Sequence, residues 1–467
     1  MKLGREPGSH YLYWYTISLL RGYADTCEVE FILPKYKDKM GGGLLQLVAF
    51  GAQDAYITGN PHITFWKVLY KRHTNFAMEA FRVNFTGAPM YGQRVVAVVN
   101  RNADLIWKTY VEITLPNTGT VKWTAATAKR LGYQMLQQIE VEIGGQVIDR
   151  HYGEWLYLWE TLTADFDTAT KLDGLVNNGT YNTSTSGTSC NGRPNVLYVP
   201  LQFWFNRNPG LALPLIALQY HEVRFNITLG NAIDLVQDDG FSSLSAAAAA
   251  LPQLTDMALY IDYVYLDVDE RRRFAQESHE YLIDQVQYTG QQTITTSSGR
   301  LDLTLNHPVK ELIWVFQDAR KLECDAASLA AFTAKNTQPF SYNDIVNRAR
   351  LQLNGQDRFD ERFGDYFYKV QPYQHHTAGG YGAWSTSIND QNPINVYSFA
   401  IQPEEHQPSG TCNFSRIDTA TLVFDSVTSG TAGTYPSKSY PYNFRVYAVN
   451  YNIFRIMSGM GGLAYSN

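Results

Sequence analysis

Between residues 139 and 143, Ile139, Val141 and Ile143 alternate with Glu140 and Glu142, and Gly144-Gly145 follows. A period of two puts the apolar side chains on one face of a pleated strand, and the glycine pair supplies a two-residue hairpin turn. The same grammar returns where Ala349, Leu351 and Leu353 alternate with Arg350 and Gln352 before Asn354-Gly355, the pair best suited to the positive φ angles of a type I′ turn. Both stretches predict half-buried antiparallel strands. Similar patterning predicts strands at 95–99, 106–115, 223–229, 259–266, 301–305, 311–316, 421–424 and 445–453.

These segments repeat. Arg82-Val83-Asn84-Phe85-Thr86-Gly87 matches Gln285-Val286-Gln287-Tyr288-Thr289-Gly290, and Asp104-Leu105-Ile106-Trp107 matches Glu311-Leu312-Ile313-Trp314. Residues 140–146 match 350–356, and Tyr152-Gly153-Glu154-Trp155-Leu156-Tyr157 matches Phe363-Gly364-Asp365-Tyr366-Phe367-Tyr368. The offset drifts slowly from 203 to 211, as loop insertions would make it, so the chain reads as a tandem duplication of one domain. About eight short strands per copy, few long helical periods and no βαβ alternation predict two eight-stranded antiparallel sandwiches. An immunoglobulin-like order is the alternative, because periodicity does not assign strand order. Between the copies, residues 267–282 predict a helical linker with an acidic start. Residues 161–195, rich in Thr, Asn, Ser and Gly, predict an exposed excursion, as does the segment around 246–250.

Composition narrows the function. The 467 residues are 45% hydrophobic, 14% aromatic and only 18% charged, below the ~25% of an ordinary soluble domain, which predicts surface that faces other protein. A net charge of −6 without a basic tail argues against direct nucleic-acid binding. Residues 11–20 form the longest uncharged apolar run near the start, half of what a bilayer crossing needs, and no small-x-small cleavage site follows. Cys27, Cys190, Cys324 and Cys412 are widely spaced with no C-x-x-C pair, which predicts neither a zinc site nor a disulfide framework.

Catalytic signatures are missing from the sequence: no G-x-S-x-G, no G-x-x-x-x-G-K-[ST] and no H-E-x-x-H. His375 and His376, if on a strand, point to opposite faces and do not chelate one ion together. Glu404-Glu405-His406 lies between Pro403 and Pro408 and reads as a rigid corner; neighbouring carboxylates do not flank a glycoside. No cofactor or metal is expected. Of the glycosylation sequons, Asn84 and Asn226 fall in predicted strands and Asn413 is a third, which leaves Asn178 and Asn182 in the polar excursion as the two to test.

Residues 40–87, MGGGLLQLVAFGAQDAYITGNPHITFWKVLYKRHTNFAMEAFRVNFTG, resemble the amino-terminal signature of major capsid proteins of nucleocytoplasmic large DNA viruses. The blocks DERRRFAQESHEYLIDQVQ, NHPVKELIW and VYSFAIQPEEHQPSGTCNFSRID, and the ending RIMSGMGGLAYSN, resemble that family in the same order. The resemblance implies a double jelly roll that forms homotrimers and tiles an icosahedral shell around an internal membrane, with itself, minor capsid and penton proteins and that membrane as partners, and no enzyme activity. It implies a virion component made and assembled in the host cytoplasm. A jelly-roll protein that binds glycans or a receptor at the virion surface is the alternative function.

The resulting division is an extension at 1–39, an arm at 40–79, a first roll at 80–268, a linker at 269–283, a second roll at 284–456 and a tail at 457–467. Candidate assembly contacts are Leu44, Leu45, Gln53, Asp54 and Tyr56 in the arm, the basic block Arg271, Arg272 and Arg273, and the corner residues Glu404, Glu405 and His406. The family resemblance begins at Met40, so residues 1–39 are either a lineage-specific arm or an upstream extension of the reading frame, and the expectation is a mature chain that starts at Met40. Mass spectrometry of purified particles is expected to find no peptide containing residues 11–21, and its detection would rule out a Met40 start.

Overall fold

The computed structural model describes residues 42–116, 121, 123, 130–176, 196–236, 244–295, 298–318, 340, 342, 344–378, 393–426 and 442–465. The chain divides after His73 into an arm and one compact unit beginning at Thr74. The described arm holds two seven-residue helices, Gly42–Val48 and Ala52–Thr58, and buries none of its residues. Asp54 closes the second helix locally: its carboxylate accepts from the Gly51 N–H at 2.9 Å, and its carbonyl accepts from the Thr58 hydroxyl at 2.7 Å.

Most of the regular structure in the compact unit is strand. Its first half comprises β1 (Phe76–Asn84), β2 (Arg94–Val98), β3 (Leu105–Thr114), β4 (Leu136–Ile143), β5 (Gln146–Tyr152), β6 (Val196–Pro200), β7 (Leu213–Pro214), β8 (Val223–Leu229) and β9 (Asp256–Leu266). Its second half comprises β10 (His279–Ile294), β11 (Ser298–Asp302), β12 (Pro308–Asp318), β13 (Val346–Leu353), β14 (Gln356–Asp357), β15 (Arg362–Phe363), β16 (Asn395–Ser398), β17 (Cys412–Asn413), β18 (Ala420–Ser426), β19 (Tyr442–Met457) and β20 (Met460–Leu463).

The first half pairs as β1-β9-β3-β6 and β2-β8-β4-β5, and the second as β10-β19-β12-β16 and β11-β18-β13-β14. With the short ribbons β7, β15, β17 and β20 set aside, each half lays its eight strands out as 1-8-3-6 and 2-7-4-5. That is the jelly-roll order, and it decides against the immunoglobulin arrangement. Each sandwich fills with the inward half of its alternating strands: Val111, Ile113, Leu259 and Ile261 in the first roll, Leu312, Trp314, Phe316, Phe444 and Val446 in the second.

The two predicted hairpins have the same geometry. Ile143 faces Gln146 across Gly144 (φ 60°) and Gly145 (φ 85°), and Leu353 faces Gln356 across Asn354 (φ 49°) and Gly355 (φ 77°). Positive φ at both central residues is what a type I′ turn demands. The fourth sequence match has an equally physical cause. A Cβ on Gly153 would strike the carbonyl oxygens of Tyr133 and Leu136, and one on Gly364 would strike that of Val346, so each roll needs glycine where the chain leaving its hairpin crosses the start of β4 or β13.

The second match falls at the start of β3 and within β12, the third strands of the two rolls. Val83 lies opposite Leu259, which β3 meets with Val111; Val286 lies opposite Val449, which β12 meets with Glu311. Bulges between Ile106 and Thr109 and between Val309 and Glu311 shift the two registers differently, which composition does not disclose.

Other expectations are sharpened. The linker helix is Val268–Gln276, capped by Asp267, and the chain is already strand at His279. Phe76–Glu79 belong to β1, and Met460–Leu463 fold back on β19 instead of trailing as a tail. The polar excursion begins as helix: Gly153–Thr163 buries Trp155, Leu156, Leu158, Trp159 and Leu162, and Phe166–Val176 follows, with 177–195 outside the described residues. Ala246–Ala250 lie in the helix Leu244–Ala250, whose Ala247 is buried, so this segment is not a loop excursion. Among the described residues no helix is long and apolar enough to cross a membrane.

Candidate functional site

A junction of buried polar groups joins the rolls. Glu154, at the start of helix Gly153–Thr163 in the first roll, receives Arg445 of β19 through two bonds, Nε to Oε2 at 2.7 Å and Nη2 to Oε1 at 2.6 Å. The Tyr447 hydroxyl donates to Oε2 at 2.6 Å and the Tyr342 hydroxyl to Oε1 at 3.1 Å. Gln317 and Gln291 accept two more guanidinium protons at 2.6 and 3.2 Å. Burial opposes the Arg445 charge, but Glu154 outweighs it and holds the pKa above its ordinary value; burial, with Glu154, pushes both tyrosines far above theirs. Aromatic rings seal the surroundings, Trp155 and Tyr152 lying 5.8 and 6.2 Å from Tyr447.

Two edge strands meet beside this cluster. The Val286 N–H of β10 donates to Asp149 Oδ1 of β5 at 3.1 Å, and the Gln285 amide donates to the Ile148 carbonyl. Side chains, not a continued ladder, satisfy these two edge groups.

A second charged group lies where the corner around residues 401–410 folds onto the second roll. Asp284 of β10 takes Arg207 of the first roll and Lys310 of β12, each at 3.3 Å, with His406 Nδ1 at 4.0 Å. Burial pushes the Asp284 carboxyl up, but His406, Arg207 and Lys310 outweigh it and hold it below its ordinary value. Burial in turn lowers the Lys310 ammonium, which is 0% exposed, stands 4.8 Å over the Tyr451 ring and donates to the Glu405 carbonyl at 3.4 Å. Alongside, His376 is clamped between two carboxylates, with Nε2 3.0 Å from Glu311 and Nδ1 2.9 Å from Glu404. Glu404 also accepts from the Thr377 N–H at 2.9 Å and from the Thr377 hydroxyl. Most oxygens and nitrogens here are committed to another protein group, with Asp284 Oδ1 and Glu311 Oε1 buried without a hydrogen-bond partner, so the arrangement ties the corner to the sheet. Among the described residues no group of His, Cys, Asp or Glu is placed to hold a metal ion.

Comparisons with known proteins agree along the whole compact unit. The family described as "Major capsid protein N-terminus" matches residues 64–267, and that described as "Large eukaryotic DNA virus major capsid protein" matches 270–462. The major capsid protein of Pyramimonas orientalis virus is 46% identical over 447 residues, covering 92% of this chain and 100% of that protein. The chain belongs to the major capsid proteins of large eukaryotic DNA viruses. That of Paramecium bursaria Chlorella virus 1 is 41% identical with the same coverage. Among solved structures, a quasi-atomic model of the PBCV-1 virus capsid is similar with a TM-score of 0.69 at 37% identity, covering 86% of this chain and 100% of that one. The Faustovirus major capsid protein, 12% identical with a TM-score of 0.64, shares the fold. The family is structural and not enzymatic, and the chain is a virion capsid component.

The candidate residues fall in three places. Leu44, Leu45, Gln53, Asp54 and Tyr56 lie on the arm helices, all exposed, among a run of exposed apolar residues that continues through Ile63, Phe65, Trp66 and Leu69. Arg271, Arg272 and Arg273 lie on helix Val268–Gln276, where Arg271 reaches buried Asp104 at 3.0 Å and Arg273 pairs with Glu277 along the helix at 4.0 Å. Glu404, Glu405 and His406 are brought together with His376, Lys310 and Asp284, a grouping that adjacency in sequence conceals. His375 ends a helix instead of standing on a strand; its ring lies 3.0 Å from the Ile401 carbonyl while His376 turns inward. Asn178 and Asn182 lie outside the described residues, as do Cys27, Cys190 and Cys324. Glu154 and Arg445 were not among the candidates; the match of Glu154 to Asp365 beside an obligatory glycine was the available signal.

Glu154→Ala leaves Arg445 buried with its charge unmatched and is expected to cost about 3–5 kcal/mol in chemical denaturation. A loss under about 1 kcal/mol would show that Gln317 and Gln291 suffice. At the clamp, burial would lower the His376 pKa, but Glu311 and Glu404 outweigh it and lift it to about 9. A raised histidine pKa gives stability that is complete below the unfolded value, about 6.5, and is lost as pH rises through 9. Thermal unfolding midpoints are therefore expected to fall on raising the pH from about 7 to about 9.5, and His376→Gln to flatten that fall; an unchanged slope in the variant would refute the assignment.

Proposed function

We propose that three copies of this chain close into a ring of six jelly rolls, a pseudo-hexagonal capsomer that tiles an icosahedral shell. The observation that carries this reading is the identical strand order of the two rolls within one chain. A chain with two equivalent modules needs only a threefold rotation to place six similar barrels around an axis, and one heterologous contact repeated three times closes the ring. The low charge and the exposed apolar arm fit a chain whose surface is largely committed to other protein.

On this reading the rolls are rigid walls, and the arm with Leu44, Leu45, Gln53, Asp54 and Tyr56, the basic helix with Arg272 and Arg273, and the Glu404–His406 corner provide contacts to neighbouring capsomers, to minor capsid and penton proteins and to the inner viral membrane. Assembly takes place in the host cytoplasm. Asn178 and Asn182 are the positions at which a glycan is sought. Analytical ultracentrifugation is expected to find a species of three chain masses at micromolar concentration; a stable single chain, 52.9 kDa if full length, would overturn the reading.

A further inference from the structure

The sheet β10-β19-β12-β16 of the second roll has one face in its own sandwich. The other carries the transverse row Tyr288, Tyr447, Ile313 and Val396, each paired with the next across the ladder. The first roll covers this row: Tyr152 lies 4.9 Å from Tyr288, Trp155 lies 5.8 Å from Tyr447, and Glu154 grips Arg445. The cover is the helix that follows the Gly153 crossing. Under it Tyr447, Ile313 and Val396 are fully buried.

The equivalent sheet of the first roll, β1-β9-β3-β6, carries the row Arg82, Tyr260, Tyr110 and Pro200 on its outer face. Tyr110 stacks on Tyr260 at 5.1 Å and meets Tyr198 edge-on at 6.0 Å, and Glu112, Asp262 and Lys108 frame the rings. Here the rings stay partly open, Tyr198 being 36% exposed. Among the described residues the cover reaches only one end of the face, where Phe274 packs near Trp107 and Leu266.

The second roll has its own helical segment after its own glycine crossing: the π-helical turn Tyr366–Val370 and the helix Gln371–His375 follow Gly364. Its inner side is buried through Phe367, Tyr368, Gln371 and Pro372, while Tyr373 is 79% exposed and Val370 38%. Ile401, also exposed, adjoins it through the His375 contact. Each chain thus has one helical cover that is used and one that is idle, one sheet face that is sealed and one that is open.

We infer that the segment Tyr366–His375 of one copy seals the Tyr110, Tyr198 and Tyr260 face of the next, repeating between chains the contact that helix Gly153–Thr163 makes within one. The inference rests on the ring proposed above and names its contact. The occupant is a second copy because the surface repeats an interface the chain already makes with its own other half. Aromatic anchors on such a face are the residues that carry binding energy.

The test uses the full chain with cysteine pairs, one of Tyr110→Cys or Tyr260→Cys with one of Val370→Cys or Tyr373→Cys, joined by a short bis-maleimide, with each single variant as background for the native cysteines. Pair-dependent products between chains are expected. In parallel, Tyr110→Ser with Tyr260→Ser is expected to raise the trimer dissociation constant roughly thirtyfold, the scale of losing an aromatic hot spot, without changing the secondary structure by circular dichroism. Trimers of the parent chain that give no pair-dependent product, or that the double serine variant leaves at parent affinity, overturn this contact and leave the ring standing. A parent chain that never trimerises overturns the ring itself.

Discussion

The compact unit depends on a half-buried carboxylate of one roll that is held by the other. Glu154 belongs to the first roll by sequence, yet it is neutralised by Arg445 and by two tyrosine hydroxyls of the second half. A charge taken out of water is tolerable only with a fixed partner and full hydrogen bonding, so the rolls can sit in very few mutual orientations that leave Glu154 satisfied. Apolar packing alone would allow sliding; the fork of Arg445 on Glu154 does not, because bidentate bonds are lost over a fraction of an ångström. Trp155, Tyr152, Tyr288 and Tyr447 then add attraction around a geometry already set.

The second charged group extends the same logic outward. Lys310 and His376 are buried cations whose partners come from β10, β12 and the corner around residue 404, so a surface loop is tied to the interior by charge and not by its own turns. Arg207 brings the first roll into the set through Asp284. Corner, sheet and neighbouring roll are therefore tied together by one set of ion pairs. A shell needs this of its subunits, since a contact that flexes on one edge loses the curvature fixed on another.

Much of the fold was legible in the chain. Alternation at Ile139, Val141 and Ile143 and the paired turns at Gly144 and Asn354 identify half-buried hairpins, because period and turn chemistry are local properties. The duplication was legible too, since Gly153 and Gly364 are held by the same backbone crossing in both copies. What the residues do not disclose is register, which bulges between Ile106 and Thr109 and between Val309 and Glu311 set differently in the two rolls. The helix Gly153–Thr163 was overlooked because its aromatic residues read equally well as strand. The buried clusters were out of reach for a further reason. His376 and Glu404, or Glu154 and Arg445, are joined only by the folding of distant segments, and no spacing rule connects them.

The meeting of β5 and β10 carries a consequence for solubility. Two exposed strand borders lying side by side are an invitation to splice sheets into endless ribbons, the route by which concentrated β-proteins turn into amyloid. Here the Asp149 carboxylate and the Gln285 amide occupy the main-chain groups that an invading strand would need. A coat protein accumulates to very high local concentration before its particle is finished. Side chains on the Val286 N–H and the Ile148 carbonyl deny an invading strand that stretch of edge.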